Sequence, residues 1–129
     1  VALACVHPAG HDDAMEAFYN MLMVMTEEYE NLIVMGDFNT REYEKGIIGL
    51  SAILKDSWRT LHPIPSMDSE EMKVIAESEG TGFKDGGPLF KNRIDYIFVS
   101  DSFIIRESVY VPDEQAFTDH PAHWARIAF

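Results

Sequence analysis

Leu32-Ile33-Val34-Met35-Gly36-Asp37-Phe38-Asn39 decides how this chain is read. Four apolar residues in an unbroken run, ended by glycine, offer no polar side to water, which is the pattern of a strand buried on both faces, as in a parallel sheet. A parallel neighbour requires a crossover, and a helical pattern lies immediately upstream. Phe18, Leu22, Met25 and Tyr29, with Ala14 and Met21 beside them, recur at three- and four-residue spacing and form one stripe. Asp13 followed three residues later by Glu16 predicts a capping box near the helix start. Before the helix, residues 1–6 are an apolar, strand-like run, and His7-Pro8-Ala9-Gly10-His11 is a loop. Strand, helix, strand is the first unit. The opening run has no initiating Met, cap or polar lead-in, so the chain reads as entered mid-fold.

Downstream, residues 42–54 predict a second helix despite Gly46 and Gly49. Residues 68–79 predict a third, with Asp68 and Glu71 as its capping box and Gly80 as its stop. The glycines between 81 and 92 mark a loop, and residues 94–100, 104–111 and 123–129 read as strands. The expected fold class is α/β, with one mixed sheet of about five to six strands and helices on one face.

The 129 residues suffice for one domain. A formal charge of -12 speaks against a basic nucleic-acid clamp, although a bound metal can supply positive charge where a phosphate would react. Cys5 is the only cysteine, which excludes an internal disulfide and a cysteine-based zinc site and leans to the cytosol. No apolar stretch is long enough to span a membrane.

Chemistry concentrates in three places. In Gly36-Asp37-Phe38-Asn39, a carboxylate and an amide sit two residues apart where a buried strand emerges. If the segment stays extended they grip one water or phosphoryl oxygen together, and the alternative is an Asx turn that only ends the strand. Thr118-Asp119-His120-Pro121 places a hard carboxylate beside an imidazole. Asp95, inside Arg93-Ile94-Asp95-Tyr96-Ile97-Phe98-Val99, is a charge within an apolar strand and must have a partner, either Arg93, Arg126 or His120. Phe83 and Lys84 could shape a pocket, the competing reading being a loop aromatic at the core edge. Cys5 and His7 share a strand face, but two ligands are too few for a soft metal, and a buried small Cys is the expected reading. His11, His62 and His123 read as ordinary polar contacts.

These motifs, in this order and spread from His7 to Pro121, resemble the endonuclease/exonuclease/phosphatase (DNase I-like) superfamily. The resemblance implies the C-terminal half, residues 1–129, of a four-layer α/β sandwich, and metal-dependent hydrolysis of a phosphate ester. It implies that Asp37 orients or deprotonates the attacking water, that Asn39 helps hold water and phosphate, and that His120 hydrogen-bonds the scissile phosphate with Asp95 as its partner. His7 resembles the histidine of the family's Thr-His-Leu motif, with Val6 and Pro8 as departures from it, and Asp119 matches a carboxylate at a site for Mg²⁺ or Mn²⁺. Relatives take a further Asn and a metal-binding Glu from the other half. The implied partners are a phosphate-ester substrate, whether nucleic acid or phospholipid headgroup, and a second copy or the N-terminal half against the sheet face a half-sandwich leaves open. The contrasting reading is a non-catalytic half-domain used for binding or assembly.

Overall fold

The computed structural model describes residues 1–65, 70–84, 91–115 and 118–129, which form the expected α/β arrangement. β1 (Ala2–Val6), α1 (Asp12–Glu28) and β2 (Leu32–Asp37) make the strand–helix–strand unit, with β1 and β2 parallel. There follow α2 (Lys45–Ser51), β3 (Lys55–Asp56), α3 (Ser57–Leu61) and α4 (Glu70–Ser78). β4 (Asp95–Val99), β5 (Ile104–Tyr110), a short 3-10 turn (Asp113–Gln115) and β6 (His123–Ala128) are the remaining elements among the described residues.

The six strands do not share one sheet as expected. Four form a mixed sheet in the order β1-β2-β4-β3, and β5 and β6 pair antiparallel as a separate sheet. Side-chain alternation explains the split. Leu32, Val34, Tyr96 and Phe98 face one way, into a core closed by Phe18 and Leu22 of α1 and Ile47 and Leu50 of α2. Ile33, Ile97 and Val99 face the other way and meet Ile105 of β5 and Ile127 of β6. The hairpin therefore covers part of the second face instead of extending the first sheet's edge.

Several element boundaries differ from expectation. His11 precedes α1 without a side-chain cap, so the Asp13–Glu16 box does not define its start. Met21 and Tyr29 stay exposed, and the buried stripe is Phe18 and Leu22 with Met15, Tyr19 and Met25 packed beside them. The helix expected over 42–54 shrinks to Lys45–Ser51 because Glu42 is drawn into a buried ion pair. Asp68, half of the third helix's expected capping box, lies outside the described residues. β3 and α3 were not anticipated. They are too short to show periodicity, and the Asp56 carboxylate caps α3 by accepting from Trp58 N and Arg59 N.

At Gly36 the parallel strand β1 approaches so closely that an added Cβ would stand 2.0 Å from the Val6 carbonyl oxygen, and φ is +141°. Only glycine accepts both constraints.

Beneath this end of the sheet the interior is charged. Arg93, completely buried, donates from Nη2 to Asp56 Oδ2 at 2.7 Å and from Nη1 to Asp56 Oδ1 at 3.1 Å, and also reaches Glu42. Glu42 accepts from Arg59 at 2.6 and 2.7 Å, and Arg59 also holds Glu79 at 2.6 and 2.8 Å. Burial alone would lower the Arg93 pKa, but Asp56, with Glu42 and two tyrosines, holds it well above the ordinary value. Breaking one member of such a network strands the others in a medium that cannot solvate them. Glu42→Gln is expected to cost about 3–5 kcal/mol, read as a lower urea midpoint with an unchanged slope.

Candidate functional site

The antiparallel register of β2 and β4 sets Asp37 directly opposite Asp95, where β2 leaves the sheet. Alternation puts both on the face turned away from α1 and α2, each side chain 17% exposed. Two carboxylates so close need a positive or proton-bearing group between them. His120 supplies it. Its Nδ1 lies 2.8 Å from Asp95 Oδ2, and one ligand atom from each of Asp37, Asp95 and His120 falls within 4.8 Å of the others. His7, just past β1 and largely exposed, brings Nε2 to 3.5 Å from Asp37 Oδ2.

Of the three partners open to Asp95 in the sequence, the fold takes His120. Arg93 is consumed by Asp56 and Glu42, and Arg126 pairs with Glu107 across the hairpin. Burial raises the Asp95 pKa, His120 pulls it back, Asp37 raises it again, and the net position is above the ordinary carboxylate range. Burial would lower His120, yet the hydrogen bond and charge of Asp95, with the charges of Asp37 and Asp119, carry it above the usual histidine value. A simple ion pair would depress the acid. Here desolvation and a second carboxylate outweigh that effect, so both partners hold protons more tightly than they would in water.

Asp37 and Asn39 do not project together from an extended strand. Asn39 takes φ +49°, and its backbone N–H donates to Asp37 Oδ1 at 2.7 Å, which is the Asx turn. Asparagine tolerates this left-handed backbone. Its side-chain Nδ2 donates to the Pro8 carbonyl at 2.8 Å, tying the loop that carries His7 to the end of β2. Asp119 is exposed, and its carboxylate stands outside the three-residue cluster. Its backbone carbonyl accepts from Lys84 N at 2.7 Å.

The carboxylates grouped among the described residues are Asp37 and Asp95, with His120 between them, and oxygen donors of this kind suit a hard divalent cation, which commonly takes one or two carboxylates with waters and substrate oxygens. His120 Nδ1 and Asp95 Oδ2 are engaged with each other, so that pair serves proton handling better than ligation. Phe83 stacks on His120 with ring centroids 5.8 Å apart and planes 26° from parallel. Composition marked this aromatic, but nothing in the spacing brought it to His120. Cys5 is exposed and not buried as expected, because Leu3 and Cys5 lie on a bare side of β1.

The sequence pattern of the Endonuclease/Exonuclease/phosphatase family matches residues 20–120, well over half of the chain. No curated protein sequence matches it. Among solved structures, a mannosyl-6-phosphatase of Bacteroides thetaiotaomicron superposes with a TM-score of 0.65 at 16% identity, covering 98% of this chain and 51% of that one. The 3′ phosphatase NExo from Neisseria, bound to a product DNA hairpin, gives 0.65 at 17% identity, covering 92% and 53%. The catalytic domain of APE2 from Xenopus laevis gives 0.64 at 18% identity, covering 97% and 49%. The chain spans about half the length of these structures, and its fold is the corresponding part of their DNase I-like α/β architecture.

A cleft of about 320 Å³ runs along the bare sheet face, lined by Cys5, Met35, Asp95, Ile97, Pro121 and His123 among others. His123 was expected to make an ordinary polar contact, and its Nε2 lies 2.8 Å from Ser108 Oγ. Its ring stacks on Tyr110, and its Nδ1 is buried without a partner among the described residues. Burial pushes its pKa down to about 4. The unfolded chain therefore binds this proton at a higher pH than the folded one, and stability falls as pH drops from about 6.5 towards 4. The loss attributable to His123 is expected to reach about 3 kcal/mol at most. Comparing urea midpoints of the wild type and His123→Asn across that range checks it, the variant showing the shallower decline.

Proposed function

Since the chain belongs to the endonuclease/exonuclease/phosphatase family, we propose that it carries the acid and histidine side of a phosphoesterase site, cleaving a phosphate ester by in-line attack of water. The observation that carries this reading is the placement of Asp37 opposite the Asp95–His120 pair. Asp37 accepts the proton of the attacking water, or orients that water, and the Asx turn at Asn39 holds the carboxylate still. Asp95 keeps the Nδ1 proton on His120 and so directs Nε2 to a phosphoryl oxygen, where an imidazolium stabilises charge that grows during the reaction. His7, beside Asp37, contacts a second phosphoryl oxygen. Mg²⁺ or Mn²⁺, held through Asp119 with ligands from outside these residues, would supply further positive charge to the phosphate when bound.

The similar structures support the substrate class without narrowing it. One is named for a phosphosugar and another was solved with a DNA product. The charge of -12 weighs against a long nucleic-acid footprint on this part of the protein, so a nucleotide end, a sugar phosphate or a phospholipid headgroup is the better match. In the complete protein, Asp37→Ala and His120→Ala should each lower Mg²⁺-dependent kcat on an activated phosphodiester by about 10²–10⁴-fold, with little change in KM. Variants as fast as the wild type would remove the mechanism.

A second role has its own observation. Leu3 is 60% exposed on the bare sheet face, and Cys5 and the cleft adjoin it, in the part of that face which the β5–β6 hairpin leaves open. Such a face is costly to leave in water without a covering layer. A complementary half-domain or a second copy is the covering layer that fits, and the non-catalytic assembly reading would need no more than this surface. Light scattering of the 129-residue chain at tens of micromolar is expected to give more than the monomer mass. A clean monomer would count against the docking role.

A further inference from the structure

We propose that Phe83 is a positioning residue that fixes the plane of the His120 ring, an inference that rests on reading His120 as the phosphate-contacting group. One hydrogen bond sets the direction of an imidazole but leaves its plane room to tilt. The Nδ1···Oδ2 contact of 2.8 Å holds one edge of the ring, while correlated changes of its two side-chain torsions can still tilt the plane around that edge. The terminal side-chain torsion of histidine is broad and gives little resistance of its own. A flat group against the ring face removes this freedom, and Phe83 is that group, its ring 26° from parallel to the imidazole.

The backbone around Phe83 is built to keep it there. Its carbonyl accepts from Lys91 N at 2.9 Å, and Lys84 N donates to the carbonyl of Asp119, the residue preceding His120, at 2.7 Å. Gly82 lies so close to Lys91 that an added Cβ would be 1.7 Å from its carbonyl oxygen, so the strand-like closure between Phe83 and Lys91 depends on glycine there. The Phe83 and His120 segments are thus joined by one short backbone tie, Lys84 N to the Asp119 carbonyl, as well as by their rings, and the Lys91 bond steadies Phe83 from its other side. Phe83 is half-buried and belongs to neither hydrophobic core among the described residues.

The test separates orientation from bulk. Phe83→Leu keeps an apolar side chain but loses the flat face, and Phe83→Tyr keeps the face. In proton NMR of the 129-residue chain, the Nδ1 proton shared with Asp95 should broaden or vanish through exchange with water in Phe83→Leu and persist in Phe83→Tyr. Asp95→Asn identifies the resonance by abolishing it. In the complete protein, Phe83→Leu should lower kcat by about 10–100-fold with KM nearly unchanged, and Phe83→Tyr should restore it. A resonance unchanged in Phe83→Leu overturns the proposal whatever the rate does, and a fall in rate alone would mean that Phe83 touches substrate. A resonance lost in Phe83→Leu while His120→Ala leaves the rate intact keeps the positioning role and removes the phosphoesterase assignment of His120.

Discussion

The pairing register of β2 with β4 is the constraint on which the rest depends. It sets Asp37 against Asp95, and the same register sends Val34 and Phe98 into the helix-covered core. A slip of one residue would reverse the faces of a strand, burying carboxylates among aromatic rings and turning Tyr96 and Phe98 outwards. The fold resists that slip just below the site. Phe38 N donates to the Ile94 carbonyl at 2.8 Å, and the Tyr96 hydroxyl straps the Thr40 carbonyl at 2.9 Å to the Arg93 carbonyl at 2.7 Å. Glu42 and Arg93 then join the same two segments through charge. The buried network therefore acts as the foundation of the site, five residues beyond one carboxylate and two residues before the other.

Local pattern made much of this legible. An apolar run ended by Gly-Asp-Phe-Asn and a carboxylate inside an apolar strand are signals a few residues long, and both elements stand where they were expected. What pattern could not supply was any contact between segments distant in sequence. Glu42 looked like the start of a helix because nothing nearby betrays Arg59 and Arg93 converging on it from 17 and 51 residues away. The hairpin β5–β6 looked like two more strands of one sheet because its choice of the second face depends on Ile33 and Ile97 being there to receive it. Asn39 shows the limit at short range. An extended strand and an Asx turn share one sequence signature, and the proximity of Pro8, 31 residues earlier, accompanies the turn.

Charge is handled in two ways within a small volume. In the foundation, acids and guanidiniums are matched almost completely, so the cluster holds shape and has little left to give to a ligand. At the surface above it, Asp37, Asp95 and His120 are deliberately undermatched, with partial burial and mutual repulsion leaving capacity for an incoming group. Arg93 and Asp95, separated only by Ile94, thus serve opposite purposes. The difference comes from how many opposite charges each carboxylate meets.

Cys5 gives this arrangement a practical consequence. It is the only thiol in the chain, it is exposed, and it borders the cleft that leads to Asp95. A fluorophore or spin label attached through sulfur would go to one known place without any engineering of the sequence. It would sit on the bare face beside the end of the sheet that carries Asp37 and Asp95, where its emission or its distance to a second label would report directly on what comes to rest there.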